Sequence, residues 1–248
     1  MVVTLLFFVA GSVAGTFHSQ SWSRLPAFPP VSLLQQWGLG PALLAQLSLF
    51  VLIWLLSLAL EQRRCGSVAR EASGTNRGWR SAVIGPWPLA WGAVGLALLN
   101  FATLALAGRP WGVTSAFVLW GSKAAAAAGI DVHNWPYWAG ARSEAIRAGI
   151  LFDITSVMNI GILCGALLGA GLAGRFSPRW RIEPRSLLAA AVGGLLLGYG
   201  ARMAFGCNVG ALLAGIASSS LHGWVWFASA LSGTAVGVRL RPWFGLSR

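Results

Sequence analysis

The chain has 248 residues, 56% of them apolar and only 10% charged, against roughly 25% charged in an average soluble domain, which excludes an ordinary water-soluble fold. Lysine and arginine number 18 against 6 acidic residues, a net charge of +12; the arginines cluster between apolar stretches and form no single stripe, so the excess reads as membrane topology and no nucleic-acid partner is expected. Three cysteines and three histidines stand far apart without a CxxC or HxxxH, so neither a disulfide framework nor a metal centre is indicated, and no cofactor is expected.

The opening MVVTLLFFVAGSVAG has the apolar core and small residues of a signal peptide but lacks its positive start, so residues 1–17 are taken as a first, short span. Windows near the ~20 residues that cross a hydrocarbon layer follow at 41–60, 86–107, 149–172, 187–206 and 223–240, giving six spans in all. Two further apolar stretches, 111–123 and 208–220, are too short or too polar to span and are predicted as half-helices. The loop at 61–85 carries Arg63, Arg64, Arg70, Arg77 and Arg80, and the loop at 173–186 carries Arg175, Arg179, Arg181 and Arg185. Both are assigned to the cytoplasm.

Two cytoplasmic loops must be separated by an even number of crossings, yet three apolar stretches lie between these two. The stretch 111–123, with Thr114, Ser115, Ser122 and Lys123, is the weakest and is therefore predicted to be re-entrant from the outer face. The same parity makes 208–220 re-entrant. The expected fold is an all-α polytopic membrane protein, a single integral domain over 1–248 in the cell inner (cytoplasmic) membrane, with both termini cytoplasmic. Within it, 1–85 holds N-terminal spans and a basic loop, 86–172 the spans around the re-entrant 111–123, and 187–240 a broken-helix segment. The run 123–145 is expected to be an outer loop with an interfacial helix. Trp22, Trp37, Trp87, Trp111, Trp135, Trp138, Trp180 and Trp224 lie near the proposed span ends, as an aromatic belt would.

Irregular backbone at membrane depth is tolerated only where protein buries it or where it lines a cavity, so two re-entrant pieces imply a central cavity of the kind transporters build from broken helices. Gly194, Gly198, Arg202, Gly206 and Gly210 recur at every fourth position and would share one face of a continuous helix. Arg202 would then face protein or a pathway, or snorkel to headgroups, or pair with Asp153, expected at similar depth; the pair takes precedence over an anion-binding role. Cys207 precedes the proposed half-helix at Asn208, where free backbone N–H groups could meet an anion, with the thiol neutral and acting as a weak donor. Cys164 lies among Gly161, Gly165 and Gly169, a packing stripe, and Cys65 is incidental. Lys123 either draws anions toward the outer mouth or snorkels. Asn159 and Asn208 are read as interhelical hydrogen-bonding residues.

With these residues in view, the chain resembles the YeeE/YedE family of membrane proteins, on GRPWGVTSAFVLWGSK (Gly108 to Lys123) and GYGARMAFGCNVGALLAGIASSSLHGWVW (Gly198 to Trp226). The resemblance implies uptake of thiosulfate or a related sulfur anion through an hourglass of two inverted halves, with pathway cysteines contacting the ion by S–H hydrogen bonds. That role falls on Cys207, with helix-breaking Gly206 and Gly210 beside it. The implied pathway set is Cys207, Gly206, Asn208, Gly210, Arg202 and Lys123, and the implied partner is a small cytoplasmic sulfur carrier or sulfurtransferase. Family chains run longer at the N-terminus and carry a further Gly-Cys segment, absent here, so the chain is expected to be a shortened product or to need a second polypeptide. The rival readings are a membrane sulfurtransferase using Cys207, and a non-transporting subunit or fragment of a sulfur-transport system.

Overall fold

A computed structural model describes residues 2–66, 87–174, 176 and 182–246. All of its regular structure is helical. The main helices are α1 (Val2–Phe17), α2 (Leu39–Cys65), α3 (Leu89–Ala107), α4 (Thr114–Ala127), α5 (Ile154–Leu172), α6 (Pro184–Met203) and α7 (Leu221–Leu240), with a short wound segment Asn208–Ala217 between α6 and α7. The helices α2, α3 and α5, and the stretch Pro184–Ala217 that contains α6, are long and apolar enough to cross a membrane. Together with the 16-residue apolar α1 and the 20-residue α7, they establish an all-α polytopic membrane protein. The six windows fall on α1, α2, α3, α5, α6 and α7, and both stretches read as half-helices are short helical pieces, Thr114–Ala127 and Asn208–Ala217. Trp180 and most arginines of the two basic loops lie outside the described residues.

The tightest packing joins α1 to α6, and glycine makes it. A Cβ added at Gly198 would lie 2.0 Å from the Phe8 carbonyl oxygen, one at Gly11 would lie 2.2 Å from that of Leu195, and one at Gly194 would lie 2.5 Å from that of Thr4. Contacts rise together along both chains, so the two helices run parallel. GSVAG in α1 meets GLLLG in α6, and small residues at four-residue spacing let backbones approach in a medium that supplies no hydrophobic drive between helices. Ser12 Oγ donates to the Gly198 carbonyl at 3.3 Å across this seam. On its other side α1 meets α4, where Gly121 faces Val9 and Val13 and Phe8 packs edge-on to Phe117 at 5.6 Å.

Gly161, Gly165 and Gly169 differ from this pattern. Nothing among the described residues lies within 4 Å of a Cβ built at any of them, and Cys164 between them is exposed. Four-residue spacing marks a face on which a helix can pack, and it does not name the partner; the expected stripe on α5 meets none among the described residues.

The run after α4 folds back onto it through turns at Pro136–Trp138 and Gly140–Arg142 and a short helix Ser143–Arg147. Val118, Leu119, Val132, Trp138 and Ile146 form the buried cluster of this cap. Trp138, 4% exposed, donates to Ser122 Oγ at 3.1 Å, which withdraws it from any interfacial belt. Trp22 likewise donates to the Tyr199 hydroxyl at 3.0 Å.

Candidate functional site

The polypeptide breaks immediately after α6. Ala204 closes the last turn, Phe205 turns left-handed at φ +57°, and the Gly206 N–H reaches back to the Ala201 carbonyl at 3.0 Å. This is the six-to-one closure of a Schellman end, with phenylalanine in the position glycine usually holds. Cys207 is extended, and the chain rewinds from Asn208 with a wide turn in which the N–H groups of Ala211 and Leu212 both reach the Cys207 carbonyl, at 2.8 and 3.4 Å. The far end repeats the device: Ser219 is left-handed at φ +56°, and the Ser220 N–H reaches the Gly215 carbonyl at 2.8 Å. Phe205 and Ser219 are the two non-glycine residues with positive φ among those described, a conformation costing about 1 kcal/mol or more each. Strain therefore brackets the wound segment at both ends.

The second break is at 108–113. Gly108 ends α3 in a left-handed cap, the Trp111 N–H donates to Asn100 Oδ1 at 3.2 Å, and Asn159 Nδ2 donates to the Val113 carbonyl at 2.9 Å. α4 then starts at Thr114 without a side-chain cap on its first turn. The two breaks converge. A cavity of about 270 Å³ lies between them, lined by Arg109, Trp111, Gly112, Thr114 and Ser115 from one, by Arg202, Phe205, Gly206 and Gly210 from the other, and by Ser12 of α1.

The chemistry of this lining has one sign. Its lining residues include two arginines, three hydroxyl-bearing residues and the first turn of the 14-residue α4, with no carboxylate among the described lining residues. A helix N-terminus carries about half a positive charge, and arginines inside a membrane mark ion paths. Such a lining is electrostatically complementary to a small anion.

The predicted pathway residues divide around it. Arg202, Gly206 and Gly210 line it. Cys207 and Asn208 follow Gly206 outside that wall, Cys207 half-buried and Asn208 exposed. Lys123 sits elsewhere: its Nζ donates to the carbonyls of Ile146 and Ala148, both at 2.6 Å, and so ties the cap to α4. The expected Asp153–Arg202 pair is not formed. One Asp153 carboxylate oxygen caps α5 instead, accepting from the Ser156 N–H at 2.8 Å, Ser156 Oγ at 2.7 Å and Thr155 Oγ1 at 2.6 Å, while Arg202 lies over the Tyr137 ring with Cζ 4.0 Å from its centroid. Equal depth in two helices did not place the groups side by side. Asn159 does bond between segments as expected, although its Oδ1 is buried without a partner. Sequence reasoning missed Arg109, Ser12 and Tyr137; the available signal for Arg109 was a lone arginine in GRPWG between two apolar runs.

The Asp153 cap also supports the site. Ser115, a cavity residue, donates to Thr155 Oγ1 at 3.2 Å, and Trp120 Nε1 donates to Ser156 Oγ at 2.8 Å. Asp153→Ala should cost about 1–2 kcal/mol, the usual loss for an N-cap, read as a lower unfolding temperature of the detergent-purified protein; an unchanged temperature would rule out this support.

A family model described as sulphur transport matches residues 1–236. The chain belongs to the sulphur transport family. Among relatives of the sulphur transport family, the probable transporter YedE of Escherichia coli strain K12 is 32% identical over 155 residues, covering 61% of this chain and 35% of that protein. YedE of Salmonella typhimurium strain LT2 is 32% identical over 162 residues, covering 64% and 37%. The thiosulfate transporter TsuA of Spirochaeta thermophila is 41% identical over 66 residues, 27% of this chain and 20% of TsuA. The chain thus spans little more than a third of the YedE proteins it matches. No solved structure matches it.

Proposed function

We propose that this member of the sulphur transport family carries a small sulfur-containing anion, thiosulfate in the first instance, across the cytoplasmic membrane into the cell. The observation that carries this reading is the meeting of two chain breaks at a cavity whose charged lining residues are Arg109 and Arg202. Charge-assisted contacts from guanidinium groups and hydroxyls can replace part of an oxyanion's hydration shell. The thiol of Cys207, one residue from the Gly206 wall, supplies a weak S–H donor to the softer sulfur end of the ion. Asn208, with the exposed start of the wound segment, lies on the same path, and Lys123 steadies the cap beside it. The basic loops and both termini face the cytoplasm, where a small sulfur carrier or sulfurtransferase receives the ion.

The test is uptake of radiolabelled thiosulfate into a bacterial strain lacking its own importers. Cells making the chain should accumulate label above vector controls. Cys207→Ala should lower the initial rate about three- to tenfold, the scale of one hydrogen bond of roughly 0.5–1.5 kcal/mol. Uptake at the vector level sinks the transport reading; normal uptake by Cys207→Ala removes the thiol from it.

A further inference from the structure

Arg202 belongs to the walls of two cavities. Beside the site described above lies a second space of about 510 Å³, whose lining includes Trp22, Tyr137, Arg142, Arg202 and Phe205. Within it the Tyr137 ring takes two cations at once, the Arg202 Cζ at 4.0 Å from its centroid and the Arg142 Cζ at 4.7 Å. Among the described residues neither arginine is paired with a carboxylate, and Arg202 Nε is buried without a hydrogen-bond partner. Two like charges are thus gathered on one aromatic ring, with no carboxylate between them.

We infer that the Tyr137 ring is a displaceable placeholder for a divalent oxyanion, which takes the ring's place on Arg142 and Arg202 and passes by way of Arg202 from the larger cavity to the smaller. The inference rests on the reading of the smaller cavity as an anion site. A cation–π contact is worth about 0.5–2 kcal/mol, whereas a guanidinium–oxyanion contact is charge-assisted and two-pronged, so an arriving dianion wins the exchange. The cost of moving the ring is the same for every ion, but the Coulomb gain doubles from a monoanion to a dianion. The ring therefore discriminates by charge: chloride cannot displace it, and a doubly charged ion can. Phe205 lines both cavities, so the ring and the strained break stand at one passage.

The sign of a mutational effect decides the matter. The full chain, purified into nanodiscs of zwitterionic lipid, is titrated calorimetrically with sodium thiosulfate, sodium sulfate and sodium chloride. Tyr137→Leu removes the competing ring while keeping apolar bulk, and should tighten dianion binding about three- to tenfold and make chloride a measurable competitor. Tyr137→Phe keeps the ring and should match the wild type; Arg142→Gln should weaken dianion binding about tenfold. Equal or weaker dianion binding by Tyr137→Leu, the result of a merely structural ring, overturns the inference. If Tyr137→Leu does not fold, unchanged dianion binding by Arg142→Gln overturns it. Binding of sulfate with no binding of thiosulfate would sink the proposed substrate while leaving the sign of the Tyr137→Leu effect to decide this proposal.

Discussion

Gly198→Val should leave almost no folded protein in the membrane, while Gly193→Val, five residues earlier on the same helix, should accumulate normally. A Cβ at position 198 would sit 2.0 Å from the Phe8 carbonyl oxygen and 2.9 Å from the Ser12 nitrogen, whereas nothing lies within 4 Å of one at Gly193. The obstructing atoms are main chain, so no rotamer change relieves the clash and α1 must move away from α6. That movement opens the seam at Gly11, Gly15 and Gly194 together, since each has an approach under 3.0 Å to the facing helix. Overpacking a tight interior ordinarily costs about 1–3 kcal/mol; here a whole helix–helix seam is at stake and the loss should be about 3 kcal/mol or more. Size-exclusion profiles of fluorescently tagged protein read it directly, and a wild-type monodisperse peak for Gly198→Val would show that the seam is dispensable.

Arg202→Gln should reduce thiosulfate uptake at least tenfold at unchanged membrane yield. The substitution keeps a long polar side chain and removes the charge of a residue that lines both cavities. Hydrogen bonds to charged groups are worth about 1.5–3 kcal/mol, or roughly 10- to 100-fold in rate if they are made to the ion in transit. Arg202→Lys should recover part of the loss, because an ammonium restores the charge but neither the planar fork nor the stacking on Tyr137. Initial rates of labelled uptake, normalised to immunoblotted protein, supply the measurement. An undiminished rate for Arg202→Gln would remove this residue from the path.

The helices and the two half-helices were legible in the sequence because each rests on local quantities: the length of an apolar run, and polar residues such as Thr114 and Ser115 inside a run too short to span. The packing partners were not. Gly194 and Gly198 lie on a seam with α1, while Gly161, Gly165 and Gly169, spaced the same way, touch nothing among the described residues. Spacing reports a smooth face and is silent on what approaches it. The five-member stripe ending at Gly210 was a construction on a continuous helix, and Phe205 turning left-handed cuts it after Arg202, sending Gly206 and Gly210 to the cavity wall by a different route. Arg202 was expected to face protein or a pathway, to snorkel, or to pair with Asp153; the Tyr137 ring that it stacks on lies 65 positions earlier in a loop whose return onto α4 no local pattern specifies. The bonds of Lys123 to the Ile146 and Ala148 carbonyls were illegible for a similar reason, since they depend on that same return.

The far end of the wound segment is tied down by main-chain atoms. The Leu33 N–H donates to the Ser219 carbonyl at 2.9 Å and the Leu221 N–H to the Val31 carbonyl at 3.0 Å, a two-rung ladder at Ser32 and Ser220. Because amides write both rungs, mutational drift at 31–33 leaves them intact, with proline the exception at Leu33 and Leu221, where it would delete a rung, and Gln46 Nε2 adds a side-chain bond to Ser219 Oγ at 2.6 Å. An evolutionary lineage could thus rewrite the composition of this connector freely and still inherit a half-helix whose distal end stays moored.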